Sequence, residues 1–170
     1  MANRSSKIVG WDELAAIVTD AKSIGKSVMF TNGCFDILHV GHVRYLQQSR
    51  SRGDMLVVAV NTDDSVRRLK GHDRPVNPEC DRAELLAALE CVDYVTLFAE
   101  DTPINLILAI RPDVQCKGGD YVADDLPEAE VMLTIGGRVE IIPFAATDSA
   151  GFSTTGTMRT IKGDNTKGTS

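Results

Sequence analysis

Short apolar runs alternate with amphipathic segments along most of this chain. The run at 55–60 is apolar at every position, which is typical of a strand that is buried on both faces of a parallel sheet. Further strands are predicted at 27–31, 94–98, 113–116 and 138–143. Because strands that alternate with helices pair in parallel, the sequence predicts an α/β fold with one doubly wound parallel sheet of about five strands and helices on both faces.

Helical segments lie between these runs. Apolar residues recur at helical spacing in segments 12–25, 43–52, 79–89, 103–110 and 128–135. Asp12 is placed to cap the first helix and Gly25 to end it. After the second strand the sequence predicts a loop with the densest positive charge of the chain, which holds Arg67, Arg68, Lys70 and Arg74. The pattern as a whole predicts a Rossmann-like sheet with its ligand crevice at the carboxyl ends of the strands.

The length of the chain bounds its organisation. At 170 residues it suits one domain with one sizeable core, which we place at 1–161, followed by a polar tail at 162–170 that is predicted to be disordered. No apolar stretch approaches the roughly 20 residues that cross a bilayer, and residues 1–7 contain no apolar signal segment. The sequence therefore predicts a cytoplasmic protein without a membrane partner.

Charge and cysteine content exclude further classes. The net charge of −6 disfavours a broad nucleic-acid surface, because non-specific binding depends on many Lys or Arg contacts to phosphates. A local basic pocket is still compatible with this charge. The four cysteines have no CxxC spacing and are predicted to be reduced thiols; they are Cys34, Cys80, Cys91 and Cys116.

Two of the three histidines, His39 and His42, lie three residues apart at a predicted strand-to-helix junction. The first N–H groups of a helix lack partners within it and the helix dipole is positive there, so that two imidazoles at this end add donors for an anion. Gly33 and Gly41 allow a bulky ligand to approach the backbone, because glycine has no Cβ. The motif predicts a phosphate site. The alternatives are a capping histidine and half of a metal site, although zinc requires three or four ligands.

Two further turns are predicted to face the same crevice. Gly118-Gly119-Asp120-Tyr121 follows the fourth strand, and Gly151-Phe152-Ser153-Thr154-Thr155 opens a last short helix. One hydroxyl of that helix start can act as its cap while others face an anion, although most such runs only cap. Two helix N-termini that face one pocket suit a polyphosphate. For the basic loop, a solvated surface segment is the alternative to a ligand contact.

The run from Phe30 to His42 resembles the signature of the cytidylyltransferase-like nucleotidyltransferases, in which an HxGH motif contacts a triphosphate and a late Ser-Thr-Thr helix completes the site. Within that family, other segments resemble the heptose 1-phosphate adenylyltransferases: 74–78, 81–84, 100–103 and 111–121. The resemblance covers residues 7 to 161. It implies transfer of AMP from ATP to D-glycero-β-D-manno-heptose 1-phosphate, a step toward the lipopolysaccharide inner core in many Gram-negative bacteria. The kinase half of the bifunctional relatives is absent, so a stand-alone transferase is expected.

The resemblance also implies roles for individual residues. His39 and His42 would hold phosphates and stabilise the transition state, and Lys70 and Arg82 would lie near substrate or phosphates. The other nucleotide-binding residues would be Thr31, Asn32, Gly33, Phe35, Asp36, Gly41, Lys117, Gly119, Asp120, Ser153, Thr154 and Thr155. Asp36 would orient the active-site groups, help to position Mg²⁺, or only cap its loop. Mg²⁺ is expected to bind mainly through ATP oxygens, without a protein metal site, and a homodimer is expected.

The chain departs from the family pattern at two places. Gln115-Cys116 stands where relatives often have an aliphatic pair, and the segment ahead of Gly151 is longer than usual. Cytidylyltransferases for alcohol phosphates carry an arginine shortly before their Ser-Thr-Thr element, whereas this chain has none between Arg138 and Arg159. This difference disfavours CTP with a glycerol 3-phosphate type of acceptor. That activity, and a catalytically silent nucleotide-binding regulatory module, are the alternatives.

Overall fold

A computed structural model describes residues 5–119, 123 and 126–143 of the chain. Its strands form one sheet in the order β3-β2-β1-β4-β5, and all pairs of neighbours are parallel. The strands are β1 (Val28–Gly33), β2 (Met55–Asn61), β3 (Tyr94–Phe98), β4 (Val114–Gly118) and β5 (Arg138–Ile142). The winding direction reverses between β1 and β4, and ligands of such sheets bind at this switch point.

Helices cover both faces of the sheet. They are α1 (Trp11–Ser23), α2 (Val40–Arg50), α3 (Asp63–Lys70), α4 (Glu79–Ala87), α5 (Ile104–Ile110) and α6 (Glu128–Thr134). Leu46 of α2 and Leu86 of α4 belong to one buried cluster, with Val58 of β2. Leu14 of α1 and Leu106 of α5 belong to the other, with Val57. Because successive strand residues enter opposite clusters, β2 is buried on both faces, and the fold prediction is confirmed.

Two helix starts differ from the prediction. Gly10 is the N-cap of α1, and Asp12 lies inside the first turn, so the predicted cap is wrong. The second predicted helix begins three residues early, at Val40, with His39 as its N-cap. Since His39 and His42 then occupy the N-cap and the third helical position, both imidazoles belong to the same helical turn.

The predicted basic loop is wrong, because residues 63–70 form α3. Thr62 caps this helix by accepting a hydrogen bond from the backbone N–H of Ser65, and Asp63 and Asp64 lie at its positive end. Val66, on the inner face of this helix, is fully buried. So short an amphipathic helix has too few apolar positions for its period to be recognised in the sequence.

Other predictions concern residues beyond the described part. The last helix, with Ser153, Thr154 and Thr155, lies outside it, and so do Asp120 and the tail at 162–170. Within the described residues, no helix is both long enough and apolar enough to cross a membrane.

Candidate active site

A cleft of about 480 Å³ opens at the carboxyl ends of β1, β2 and β4. Seven of the predicted site residues line it, namely Asn32, Gly33, Phe35, Asp36, His42, Lys70 and Lys117. The structure therefore brings together residues that are up to 85 positions apart. Other predicted site residues that the structure describes are not part of this lining: Thr31, His39, Gly41, Arg82 and Gly119.

The two histidines of the motif are stacked. Their ring centroids lie 3.9 Å apart with a tilt of 34°, and the edge of the His42 ring packs against Phe35 at 5.5 Å. The backbone N–H of His39 donates to Nδ1 of His42 at 3.4 Å, while the N–H of His42 donates to the carbonyl of His39 at 2.9 Å. This first helical turn holds His42 at the wall of the cleft.

Both imidazoles are neutral at pH 7. Burial lowers the pKa of His39, and burial together with the neighbouring His39 lowers the pKa of His42 to about 4. A neutral imidazole has one N–H donor and one acceptor nitrogen. Because Nδ1 of His42 accepts from the backbone, its proton is assigned to Nε2, which is then the donor available to a ligand.

The two glycines of the motif make room for side chains of the chain itself. A Cβ at Gly41 would lie 3.0 Å from Cε1 and Nδ1 of His39, and a Cβ at Gly33 would lie 3.1 Å from the ring of Phe35. The backbone of Phe35 has a φ of 46°, which turns its ring back over Gly33. Close approach to a ligand was the expected reason for these glycines, and the structure adds the packing of His39 and Phe35.

Asp36 is buried and holds the segment after α3. Its carboxylate accepts hydrogen bonds from Nε of Arg74, from the backbone N–H of Val76 at 2.7 Å and from that of Asn77 at 3.1 Å. The amide of Asn77 donates back to the carbonyl of Asp36 at 2.6 Å. Both carboxylate oxygens are thus engaged by the chain, which favours the interpretation of Asp36 as a cap of its loop.

Arg82 lies beneath the same loop. Its side chain is fully buried and donates to the carbonyl of Asn77 at 2.9 Å, to the carbonyl of Cys34 at 2.5 Å and to the carboxylate of Asp63 at 2.8 Å. The guanidinium therefore joins α4 to the loop after β1 and to the start of α3. It is not among the residues that line the cleft, but it contacts Cys34, which is.

The cationic part of the cleft is smaller than the sequence predicts. Lys70 and Arg74 line the cleft, but Arg74 is paired with Asp36. Arg67 and Arg68 are held by exposed carboxylates, with Arg67 at 2.6 Å from Asp64 and Arg68 at 2.9 Å from an oxygen of Asp101. Within the described residues, Lys70 makes no ion pair, so its charge is available to a ligand.

A polar network forms the β4 side of the cleft. Lys117 Nζ donates to Asn32 Oδ1 at 3.0 Å and to Glu128 Oε1 at 2.8 Å, and Gln115 Nε2 donates to the same Asn32 oxygen at 2.9 Å. With Oδ1 engaged twice, Asn32 keeps its amide N–H₂ for a ligand. The sequence analysis missed Glu128, for which an acidic residue at the start of a predicted helix was the available signal.

A buried hydrogen bond between Thr31 and Tyr45 links β1 to α2 next to the site. The hydroxyls of Thr31 and Tyr45 are hydrogen-bonded at 2.7 Å, and Tyr45 donates to the carbonyl of Cys116 at 2.9 Å. Thr31 is fully buried, so it positions β1 against α2 and β4 rather than facing the cleft. Tyr45 lines the cleft and was also missed, because within its helix it reads as a core aromatic residue.

Comparisons with known proteins identify the family. The model of the cytidylyltransferase-like family matches residues 30–158. The bifunctional protein HldE of Geobacter sulfurreducens is 55% identical over 139 residues, which cover 82% of this chain and 28% of that protein. HldE of Geotalea uraniireducens is 52% identical over 157 residues, which cover 92% and 31%. The chain thus belongs to the cytidylyltransferase-like family of nucleotidyltransferases, as its motifs predict. It spans about three tenths of the length of these curated relatives.

Solved structures agree with this assignment. The lipopolysaccharide core biosynthesis protein from Thermoplasma volcanium GSS1 has a TM-score of 0.59 and 34% identity, and the match covers 73% of this chain and all of that chain. Pantoate-beta-alanine ligase from Francisella tularensis has a TM-score of 0.57 at 12% identity, with 83% of this chain and 68% of that chain covered. The second likeness supports the fold alone.

Proposed function

We propose that this chain transfers AMP from ATP to D-glycero-β-D-manno-heptose 1-phosphate and releases ADP-heptose and diphosphate. The identity of 55% to a bifunctional HldE, across 82% of the chain, carries the proposal. The structure supports it because three of the four segments behind the heptose resemblance contribute residues to one cleft. Asp36 holds segment 74–78, residues 101–103 line the cleft after β3, and Lys117 lines it at the end of β4.

The proposed chemistry is an in-line displacement. An oxygen of the sugar phosphate attacks the α-phosphorus of ATP, and diphosphate leaves without a covalent enzyme intermediate. The enzyme then has to hold the reactants in line and neutralise the charge that develops as diphosphate departs. The imidazoles of His39 and His42 supply N–H donors for the triphosphate, and Lys70, which lines the same cleft as His42, supplies a positive charge for the sugar phosphate.

We propose that Mg²⁺ enters with ATP. When bound, it neutralises charge on the phosphate oxygens. Among the described residues, Asp36 offers little to hold the ion, because its oxygens are taken by Arg74 and by the backbone of 76–77. Within the described residues, no three His, Cys, Asp or Glu side chains are grouped as metal ligands. Coordination mainly by ATP oxygens and water fits this arrangement.

The decisive experiment pairs each nucleotide with each acceptor. The purified protein is incubated with ATP or CTP and with heptose 1-phosphate or glycerol 3-phosphate, and released diphosphate is measured. We expect release with ATP and heptose 1-phosphate. Release only with CTP and glycerol 3-phosphate would replace the proposal with an alcohol-phosphate cytidylyltransferase. Binding of ATP without release in any combination would indicate a silent nucleotide-binding module.

We also propose that the protein works in the cytoplasm as a homodimer. ATP is a cytoplasmic substrate, and exposed Leu108 of α5 and Leu133 of α6 offer apolar contacts for a second copy. Sedimentation equilibrium checks the assembly, since a single species with the mass of one chain at micromolar concentration would contradict the dimer.

A further inference from the structure

The carboxylate of Glu128 is engaged on one side only. The residue is 4% exposed and lines the cleft at the start of α6. Its Oε1 accepts from Lys117 at 2.8 Å, whereas the buried Oε2 has no hydrogen-bond partner among the described residues. Buried polar atoms are nearly always hydrogen-bonded, so an open carboxylate oxygen at a cleft wall calls for a partner that the described residues do not supply, and a ligand in the cleft can be that partner.

The chemistry of that partner is restricted. An ionised carboxylate accepts hydrogen bonds and cannot donate them. The oxygens of a nucleotide triphosphate carry negative charge and no proton at neutral pH, so they would be repelled. Of the groups on a nucleotide or a sugar phosphate, those that can meet Oε2 therefore carry an O–H or N–H.

The surroundings of Glu128 favour the nucleoside part of the ligand. Gly118, Leu126 and Pro127, which adjoin Lys117 and Glu128 in the sequence, also line the cleft, and none of the three carries a charged side chain. Among the described residues that line the cleft, Lys70 at the end of α3 is the cation without an ion pair, and α3 follows β2, whereas α6 follows β4. A sugar phosphate is expected beside the cation, and a base with its ribose beside the three uncharged residues.

The position of the carboxylate is set by the β1 loop. Lys117 donates both to Glu128 and to Asn32, and Gln115 holds the same oxygen of Asn32 from the other side. Because Asn32 follows directly on the buried part of β1, this network fixes Oε2 relative to the phosphate-binding turn. A rigid acceptor of this kind can discriminate between ligands that differ by one hydroxyl.

We propose that Glu128 Oε2 accepts a hydrogen bond from a ribose hydroxyl of the bound nucleotide, so that Glu128 selects ribonucleotides over deoxyribonucleotides. The inference rests on the proposed function, because it takes ATP as the nucleotide. It concerns binding alone and does not depend on the identity of the acceptor sugar.

Calorimetric binding to the unmodified protein tests the proposal first. Affinities are measured for ATP, 2′-deoxy-ATP, 3′-deoxy-ATP and inosine triphosphate without an acceptor. We expect at least one deoxy analogue to bind about tenfold more weakly than ATP, because the missing hydroxyl leaves the carboxylate without a hydrogen-bond donor. Equal affinity for ATP and both deoxy analogues would overturn the proposal. A loss confined to inosine triphosphate would also overturn it, in favour of contact with the amino group of the base.

Two variants then separate recognition from a structural role. Glu128→Ala is expected to weaken ATP binding about tenfold. Its affinity for the deoxy analogue that binds the unmodified protein more weakly than ATP should stay within about twofold of the value for the unmodified protein. Glu130→Gln, an exposed carboxylate on the same helix, is the matched control and keeps the full preference for ATP. An equal loss for ATP and for the deoxy analogue in Glu128→Ala would assign Glu128 a structural role and overturn the proposal.

The outcomes also separate this proposal from the proposed function. If the unmodified protein does not bind ATP, both fail. If it binds ATP and releases diphosphate with heptose 1-phosphate but does not distinguish the deoxy analogues, only the role of Glu128 fails. The comparison on the unmodified protein remains decisive even if Glu128→Ala does not fold.

Discussion

Two pairs of side chains in or next to the loop after β1 differ in burial and in charge. Asp36 and Arg82 are almost completely buried, and their described polar contacts are with groups of the chain itself. His42 lines the cleft and His39 stacks on it, and burial lowers the pKa of both imidazoles. The charged pair thus holds the loop in place, and the uncharged pair is where we propose that the phosphates bind.

The difference follows from the cost of burying charge. An ionised side chain removed from water requires compensation, which Arg82 receives from Asp63 and from two backbone carbonyls. Such a group cannot leave its partners to bind a ligand without a large loss of folding stability. A neutral imidazole costs less to bury and can offer its N–H to a phosphate when one arrives. Substitutions in the two pairs are therefore expected to affect different properties.

The largest expected effect is on stability, at Arg82. In Arg82→Met the carboxylate of Asp63 and two carbonyls lose their donor, so we expect the free energy of unfolding to fall by about 3–5 kcal/mol and the melting temperature by about 10 °C. Arg68→Met, which breaks the exposed pair with Asp101, is the control and should cost less than about 1 kcal/mol. Urea and thermal denaturation measure both.

One result for Arg82 would break the comparison. If Arg82→Met unfolds like the unmodified protein but its turnover falls by more than about a hundredfold, the guanidinium acts on substrate or phosphates, near which the family resemblance places it, and does not only hold the loop.

The next effect is on turnover, at the histidines. His39→Ala and His42→Ala are each expected to lower turnover at least about a hundredfold, which corresponds to about 2.7 kcal/mol, because each removes a donor to the phosphates. Their melting temperatures should stay within a few degrees of the unmodified protein. His72→Ala, at the exposed third histidine, is the matched control. Steady-state diphosphate release measures the effect, and near-normal turnover in folded His42→Ala would contradict the clamp.

A smaller effect is expected in the pH dependence of stability. The pKa of His42 is about 4 in the folded chain and near 6.5 in the unfolded chain, so the unfolded chain binds more protons between these values. The contribution of neutral His42 to stability is therefore complete above pH 6.5 and is lost as the pH falls toward 4. We expect His42 to contribute about 1–2 kcal/mol of this loss between pH 7 and 5. His42→Gln should show a correspondingly shallower dependence in urea denaturation, and an unchanged slope would contradict the neutral imidazole.

The smallest effect is expected at Lys70, whose charge has no described partner. Lys70→Met should raise the KM for the sugar phosphate about tenfold, or about 1.4 kcal/mol, with a smaller change in kcat. Arg67→Met, on the same helix but paired with Asp64, is the control and should leave KM unchanged. A loss in kcat without a change in KM would place Lys70 at the transition state.

Particular residues show how far sequence reasoning reached. The strand at 94–98 was predicted with its observed bounds, because an apolar β-rich run depends on local pattern. The helix over 63–70 was missed, since Thr62 stabilises it by a cap and Val66 by tertiary burial. For Arg82 the family motif predicts importance, but only the fold places its guanidinium behind the loop. The roles of the predicted site residues stay predictions.

The sequence by itself determined the doubly wound parallel sheet and the position of the strand-to-helix turn at which we propose that phosphates bind. These depend on hydrophobic period, on glycine and on helix starts, which act over a few neighbouring residues. Only the tertiary structure decided which polar groups face the cleft and which neutralise one another. That decision depends on contacts such as Arg82 with Cys34 and Lys117 with Asn32, which join positions 48 and 85 residues apart. Burial makes every such charge find a partner, and no local pattern specifies which one.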